Sequence, residues 1–257
     1  MKQAARTKHH SKRRYWLPLS LKEEISFLRK ILQDPSIQLS THIGHMVPRD
    51  HAFETAGDSC KMYGGGWSTD LSYIWHLKYP DEVYKRACYK NNKGGKAISI
   101  NVLEMVVVII NFAAAIFICA HDGIDLSAFP VLLNWCDNVA ACAWINYRCK
   151  YSLIGRRLAR LFVGLLLNTK IGIQADWICT HLNFIADDIS RLKQEDADGN
   201  FDYEKLRLTY PILRDCRQFQ PSEVLLGMIW DALLNNACPD PLIVKQLKPA
   251  ALGQFIS

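Results

Sequence analysis

The stretch WICTHLNFIADDISR, residues Trp177–Arg191, begins with apolar residues typical of a strand and passes through a short polar turn. From Asn183 onward the pattern is that of a helix, and two adjacent acids, Asp187 and Asp188, lie near its start. This order of strand, turn and acid-bearing helix is the most informative local pattern in the chain. We therefore looked upstream for other acids that lie at the ends of strands or at the starts of helices.

Three further acids have such positions. Asp58 lies near the end of the β-rich segment AFETAGDS, residues 52–59, which precedes the glycine-rich run Gly64–Trp67. Glu104 follows Leu103 and directly precedes a long apolar run, and Asp137 follows the apolar run VLLNWC. Each acid has an ordinary explanation as well: Asp58 as a turn residue, Glu104 in a buried ion pair, Asp137 as a helix cap, and Asp187 or Asp188 as a partner of a helix dipole.

Taken together, these segments resemble the ribonuclease H domain of retroelement reverse transcriptases over roughly residues 50–195. The shared features are an acid on the first strand before a glycine-rich turn, one acid in the first helix, one at the end of a later strand, and a closing Ala-Asp and Ser-Arg. The resemblance implies that the catalytic and metal-binding set is Asp58, Glu104, Asp137 and Asp187, and it favours Asp187 over Asp188.

The resemblance also implies a cofactor and a reaction. Two Mg²⁺ ions, with Mn²⁺ as an alternative, are expected to support endonucleolytic cleavage of the RNA strand of RNA–DNA hybrids. Magnesium prefers hard oxygen ligands, which fits a set of carboxylates without a His/Cys cage. By resemblance, Asp58 bridges the two ions, Asp187 helps to hold the ion that activates water, and Glu104 with Asp137 holds the other. His181 is a candidate auxiliary residue, although the turn between it and Asp187 is shorter than is usual in the family.

The segment between Asp137 and Asp176 contains no acid but several basic residues with interleaved aromatics. A basic helix pair beside a metal site would hold the phosphates of a hybrid. The alternative is a solvated helix face. The candidate nucleic-acid-binding residues are Arg148, Lys150, Arg156, Arg157 and Arg160.

The net charge and the cysteine content limit the classes of protein to which the chain can belong. The formal net charge is +6, and six positive charges without an acid lie in the first fourteen residues, so the remainder is neutral. Such a tail is compatible with a solvated terminus, nucleic-acid contact or nuclear import. Nine cysteines without a CxxC pair indicate neither a disulfide framework nor a zinc site. We expect an intracellular protein of the cytoplasm or nucleus.

Periodicity predicts an α/β protein with a mixed sheet flanked by helices, an N-terminal helical lead-in and a helical C-terminal extension. The resemblance implies that this sheet is ribonuclease H-like. In the lead-in, Leu21, Ile25, Leu28 and Leu32 repeat at helical spacing and Ser20 is a candidate cap. Short strands are expected at 53–60, 66–71 and 72–77. The predicted units are a basic tail (1–14), a lead-in or connection remnant (15–50), the ribonuclease H-like domain (51–195) and the extension (196–257).

The run 105–120, MVVVIINFAAAIFICA, is the one segment that resembles a membrane span. It is shorter than the ~20 apolar residues that a bilayer requires, and Asn111 lies within it. A helix packed against a sheet explains it better, so no membrane partner is expected.

Three functions remain open on the sequence. The first is the nuclease part of a retroelement polyprotein, acting on a hybrid beside the polymerase part. The second is a catalytically inactive nucleic-acid-binding or scaffolding domain from a degenerate copy. The third keeps the fold and performs strand transfer, as integrases do. The polymerase signature Tyr-x-Asp-Asp, a GxxxxGK[ST] phosphate loop and HExxH are absent from the sequence.

Overall fold

A computed structural model describes residues 18–35, 37, 50–90, 97–146, 152–191, 194, 196 and 200–256. The described residues contain a mixed sheet of seven strands flanked by helices, which confirms the predicted α/β class. The basic tail lies outside the described residues. The strands are β1 (Phe53–Ser59), β2 (Tyr63–Ser68), β3 (Tyr73–Lys78), β4 (Val131–Cys136), β5 (Gly172–Trp177), β6 (Arg217–Pro221) and β7 (Gly253–Ile256).

The strands lie in the order β5-β4-β1-β2-β3-β6-β7. The first three in sequence form an antiparallel meander, and β4 and β5 run parallel to β1 on its other side. The turn between β2 and β3 falls at residues 69–72, where Ser72 has a positive φ of 49°. The predicted strands 66–71 and 72–77 were therefore displaced from the observed ones.

Helices cover both faces of the sheet. Along β3, Tyr73 and Trp75 belong to the large core under the long third helix, whereas Ile74 belongs to a second core with Ile185 and Ile189. Neighbouring strand residues point to opposite faces, so the two cores lie on opposite sides. The helices are α1 (Leu19–Gln33), α2 (Asp81–Cys88), α3 (Ile100–His121), α4 (Val139–Asn146), α5 (Leu153–Leu166), α6 (Phe184–Ser190), α7 (Tyr203–Thr209), α8 (Glu223–Leu234) and α9 (Pro241–Lys245).

Helix α3 is the central element of the larger core. Its length and apolarity are those of a membrane-spanning helix, yet its most apolar 18-residue window is entirely buried by the rest of the protein. Asn111, in the middle of this helix, is fully buried and hydrogen-bonded to side chains of the sheet. These contacts are those of the sheet-packed helix that the sequence predicted.

The predicted lead-in helix is present as α1, but its cap differs. The helix begins at Leu19, with Pro18 rather than Ser20 at the N-cap position and no side-chain cap. The carboxylates of Glu23 and Glu24 face α5, while Leu28 and Leu32 are more than half exposed. Helix α1 therefore attaches to the domain through ion pairs as well as through the buried side chain of Ile31.

The segment after residue 200 is not simply a helical extension. Strand β6 pairs in parallel with β3, and β7 pairs with β6, so this segment adds two strands to the same sheet. In addition, α8 packs on α5 within the larger core. Strand β6 is only five residues long and has a polar pattern, RQFQP, which explains why its strand character was missed.

Glycines let helices approach the central strands closely. A methyl group added at Gly65 would overlap Cγ2 of Ile189 in α6, and one added at Gly57 would overlap Cγ1 of Val107 in α3. At these glycines, the backbone of β1 lies against α3 on one face of the sheet, and the backbone of β2 lies against α6 on the other face. This close approach brings acid-bearing helices next to Asp58, which pairs with Gly65 in the β1–β2 ladder.

We expect Gly65→Ala to lower the free energy of unfolding by about 1–3 kcal/mol, because the new methyl group overpacks against α6. Gly227→Ala is the matched control: it lies within α8 and a Cβ there meets no atom within 4 Å. The control should be neutral or stabilising by up to about 1 kcal/mol. Urea unfolding of both variants tests the difference, and equal midpoints would contradict the packing argument.

Candidate functional site

Two of the four predicted acids lie at the same edge of the sheet. Asp58 is the sixth residue of β1, and Asp137 directly follows β4. These strands are parallel, with Ala56 opposite Trp135, so each acid lies two residues beyond this pair. The carboxyl ends of parallel neighbours meet at one edge, which places the two carboxylates near each other.

Glu104 reaches this edge from α3. Its Oε1 accepts a hydrogen bond of 3.2 Å from the backbone N–H of Ser59, and its Oε2 lies 3.8 Å from Sγ of Cys136. The side chain is 2% exposed. The described residues include no cationic partner for it, so the buried ion pair considered for Glu104 is not seen.

Asp187 reaches the same place from the first turn of α6. It forms an ion pair with Arg191, one helical turn further along, and its carboxylate acts electrostatically on Asp58. Ser190 of the same helix donates a hydrogen bond to Oδ2 of Asp58. Asp188, the rival of Asp187, accepts instead from the hydroxyl of Tyr210 in the C-terminal segment.

The acids repel one another in a poorly solvated place. Burial raises the pKa of Asp58 to about 6; the Ser190 hydrogen bond opposes this, and the carboxylates of Asp137 and Asp187 add to it. Burial, followed by the charges of Asp58 and Asp137, raises the pKa of Glu104 well above its usual range. The four acids, which come from the ends of β1 and β4 and from helices α3 and α6, therefore lie close enough for their charges to affect the pKa of Asp58 or Glu104.

Cys136, the last residue of the apolar run VLLNWC and not a predicted site residue, also belongs to this group. One ligand atom each from Glu104, Cys136 and Asp137 can be chosen so that all three lie within 4.8 Å of one another. A hydrogen bond with Cys142 and then burial raise the pKa of the Cys136 thiol. A cation here would therefore meet the carboxyl groups of Glu104 and Asp137 and a thiol whose proton it would have to displace in order to bind the sulfur as a thiolate.

Neighbouring residues hold Asp137 in place. Thr180 donates a hydrogen bond of 2.9 Å to Oδ2 of Asp137, and the indole N–H of Trp177 donates one of 3.1 Å to its backbone oxygen. Ser190 and Arg191 are the Ser-Arg included in the family resemblance, and Arg191 is also expected to pair with an opposite charge four residues before it on the helix. No sequence pattern pointed to Thr180.

His181 lies on an exposed 3-10 turn, Thr180–Leu182, between β5 and α6. Its Nε2 is 3.5 Å from Sγ of Cys179. The turn brings its neighbour Thr180 to Asp137. An auxiliary role of His181 stays a prediction.

The candidate phosphate-binding arginines of α5 have partners within the protein. Arg156 and Arg160 form ion pairs with Glu24 and Glu23 of α1, and Arg157 donates to Oδ1 of Asn236. Arg157 and Arg160 are buried, so they are not part of a solvated helix face. A phosphate would have to compete with these contacts. Arg148 and Lys150 lie outside the described residues.

The geometry thus brings four carboxylates and one thiol from distant parts of the chain to one edge of the sheet. Such a group can bind divalent cations, whose charge would offset the mutual repulsion of the carboxylates. Comparison of the chain with protein-family models, with curated proteins and with solved structures finds no match.

Proposed function

We propose that this protein is a metal-dependent nuclease with a ribonuclease H-like fold that cleaves the RNA strand of RNA–DNA hybrids. The observation that carries the proposal is the convergence of Asp58, Glu104, Asp137 and Asp187, with the two most buried acids lacking a neutralising lysine or arginine at hydrogen-bond distance among the described residues. Buried carboxylates without a counter-charge are costly. Bound cations would remove that cost.

The residues present fit two Mg²⁺ ions. Asp58, Glu104, Asp137 and Asp187 would hold them, and the ions would supply an activated water and neutralise charge on the attacked phosphate. The protein's own contribution is positioning. Ser190 orients Asp58, Thr180 orients Asp137, and the backbone N–H of Ser59 orients Glu104.

The sheet supports the same proposal. A central β1 with its acid, a parallel β4 ending in an acid, and acid-bearing helices on opposite faces agree with the arrangement that the family resemblance implies. The eight cysteines of the described residues are free, which suits the reducing cytoplasm or nucleus. We further propose the polymerase part of a retroelement polyprotein as a partner.

A labelled hybrid tests the proposal directly. With Mg²⁺ or Mn²⁺, we expect internal cuts in the RNA strand and none in a DNA duplex of the same sequence, because the chemistry needs the metal and the hybrid has the recognised shape. Chelation with EDTA should stop the reaction. Binding of the hybrid without cleavage in either metal would favour the catalytically inactive domain, and joining of DNA strands would favour a transferase.

The thiol makes a separate prediction about metal binding. Because Cys136 offers sulfur beside Glu104 and Asp137, Cd²⁺ should produce an ultraviolet thiolate-to-metal absorption band in the wild-type protein. Cys136→Ser should lose most of this band, whereas Cys119→Ser, in the buried part of α3, should keep it. An unchanged band in Cys136→Ser would show that the thiol does not contact the metal.

A further inference from the structure

A cavity of about 440 Å³ lies on the α6 face of the sheet. Its walls include two tryptophans, Trp67 of β2 and Trp135 of β4, with Ala56 of β1 paired to both of them in the strand ladders. Residues paired across neighbouring strands point to the same face. The small side chain of Ala56 thus leaves a gap between two indoles that are separated by two strand spacings, roughly 10 Å.

The charges at this cavity are all negative. Among the residues that line it, only Glu54 and Asp70 are charged, and both are exposed. Oε2 of Glu54 accepts a hydrogen bond of 2.9 Å from the indole N–H of Trp135, and Oδ2 of Asp70 accepts one of 2.7 Å from the backbone N–H of Glu54. Neither carboxylate makes an ion pair with the described residues. The cavity therefore selects against phosphates and for a cation.

The rim is apolar and open to solvent. Leu182, Phe184 and Ile212 line the cavity and are 58%, 50% and 59% exposed. A cluster of exposed large apolar side chains around a pocket is typical of a surface that contacts another protein. The indole N–H of Trp67 is buried and has no hydrogen-bond partner in the described structure.

We propose that this cavity is a docking site for an arginine side chain of a partner polypeptide. A guanidinium group is planar, so it can stack between two indoles, and it is weakly hydrated. Its positive charge would pair with the carboxylates of Glu54 and Asp70. Apolar residues on either side of the arginine would cover Leu182, Phe184 and Ile212. The site does not depend on nuclease activity, so its test is independent of metal binding and cleavage.

The test uses the full chain and the acetylated, amidated tripeptide Leu-Arg-Leu. The indole N–H signals of Trp67 and Trp135, assigned by Trp→Phe substitution, should shift and saturate in proton–nitrogen correlation spectra. The matched peptide with citrulline in place of arginine has the same shape without the charge. We expect it to bind at least about fivefold more weakly, since it lacks both the cation–π contact and the ion pairs.

Two variants identify the groups responsible. Glu54→Gln combined with Asp70→Asn keeps the hydrogen-bond acceptors and should reduce the preference for arginine over citrulline, because only the cation–π contact then favours arginine, whereas Glu82→Gln, on α2, should leave it unchanged. Ala56→Leu should fill the gap and abolish binding. Equal affinity for both peptides, or shifts confined to other tryptophans, would overturn the proposal. So would displacement of the peptide by an RNA–DNA hybrid, because the cavity would then belong to a nucleic-acid surface.

Discussion

Replacing Asp58 with Asn is expected to abolish hybrid cleavage and, at the same time, to stabilise the metal-free protein. The loss of activity should be roughly a thousandfold or more, because a metal-holding carboxylate at the centre of the acid group contributes several kcal/mol to the transition state. The Asn side chain retains an oxygen that can accept the hydrogen bond from Ser190. The local structure should therefore survive the change.

The stabilisation follows from the direction of the pKa shift. The pKa of Asp58 rises from 3.8 to about 6 in the folded protein, mainly through burial. The native state thus holds this proton more tightly than the unfolded chain, so the contribution of Asp58 to stability is greatest below pH 3.8 and is lost as the pH rises through 6. At neutral pH the ionised carboxyl costs up to about 3 kcal/mol, which Asp58→Asn removes.

Thermal unfolding with and without Mg²⁺ measures both effects. Without metal, Asp58→Asn should unfold at a temperature roughly 5 °C or more above the wild type at neutral pH, and the difference should vanish towards pH 4. Added Mg²⁺ should stabilise the wild type and have little effect on the variant. Asp176→Asn is the control, since this acid is exposed on β5 and bonded to Gln174. A lower unfolding temperature for Asp58→Asn would contradict the proposed repulsion.

The acid positions were accessible from the sequence because each adjoins a strong local pattern. Asp58 lies next to the last residue of β1, Asp137 directly follows the apolar strand β4, and Glu104 lies near the start of the apolar helix α3. Asp187 lies in the first turn of a short helix after a polar turn. Local periodicity fixes these elements, and parallel pairing then brings the strand ends to one edge.

Long-range partners were not accessible in the same way. The pairing of β6 with β3 involves a polar five-residue strand, and no local pattern indicates its register. The arginines of α5 have a pattern of solvated or phosphate-binding residues, yet Arg157 and Arg160 are buried against segments more than 70 residues away. Cys136 directly precedes Asp137, but its apolar sequence neighbours gave no indication that its thiol lies beside the acids. The amino-acid composition of a segment does not show whether its arginines are buried or exposed, or whether its cysteine lies beside the acids or in the core.

Asn111 is the residue whose replacement we expect to cost the most stability. Within the most apolar helix of the chain, its Oδ1 accepts a 2.8 Å hydrogen bond from the indole of Trp75, and its Nδ2 donates one of 2.9 Å to Oδ1 of Asn134. Tyr73 also donates to Asn111 at 3.3 Å but has Thr55 as a second partner. The network ties α3 to three strands of the sheet.

Asn111→Leu preserves the side-chain shape and should lower the free energy of unfolding by roughly 3–5 kcal/mol, since the indole of Trp75 and the amide oxygen of Asn134 lose partners while buried. Asn235→Leu, at an exposed position after α8, should change it by less than about 1 kcal/mol. When Asn134→Leu is combined with Asn111→Leu, the amide that the first change leaves without a partner is removed as well. The double variant should therefore lose less free energy of unfolding than the sum of the two single losses. Urea unfolding of the four variants gives this coupling. Additive losses would mean that the two amides do not stabilise each other, which would contradict the hydrogen bond between Asn111 and Asn134.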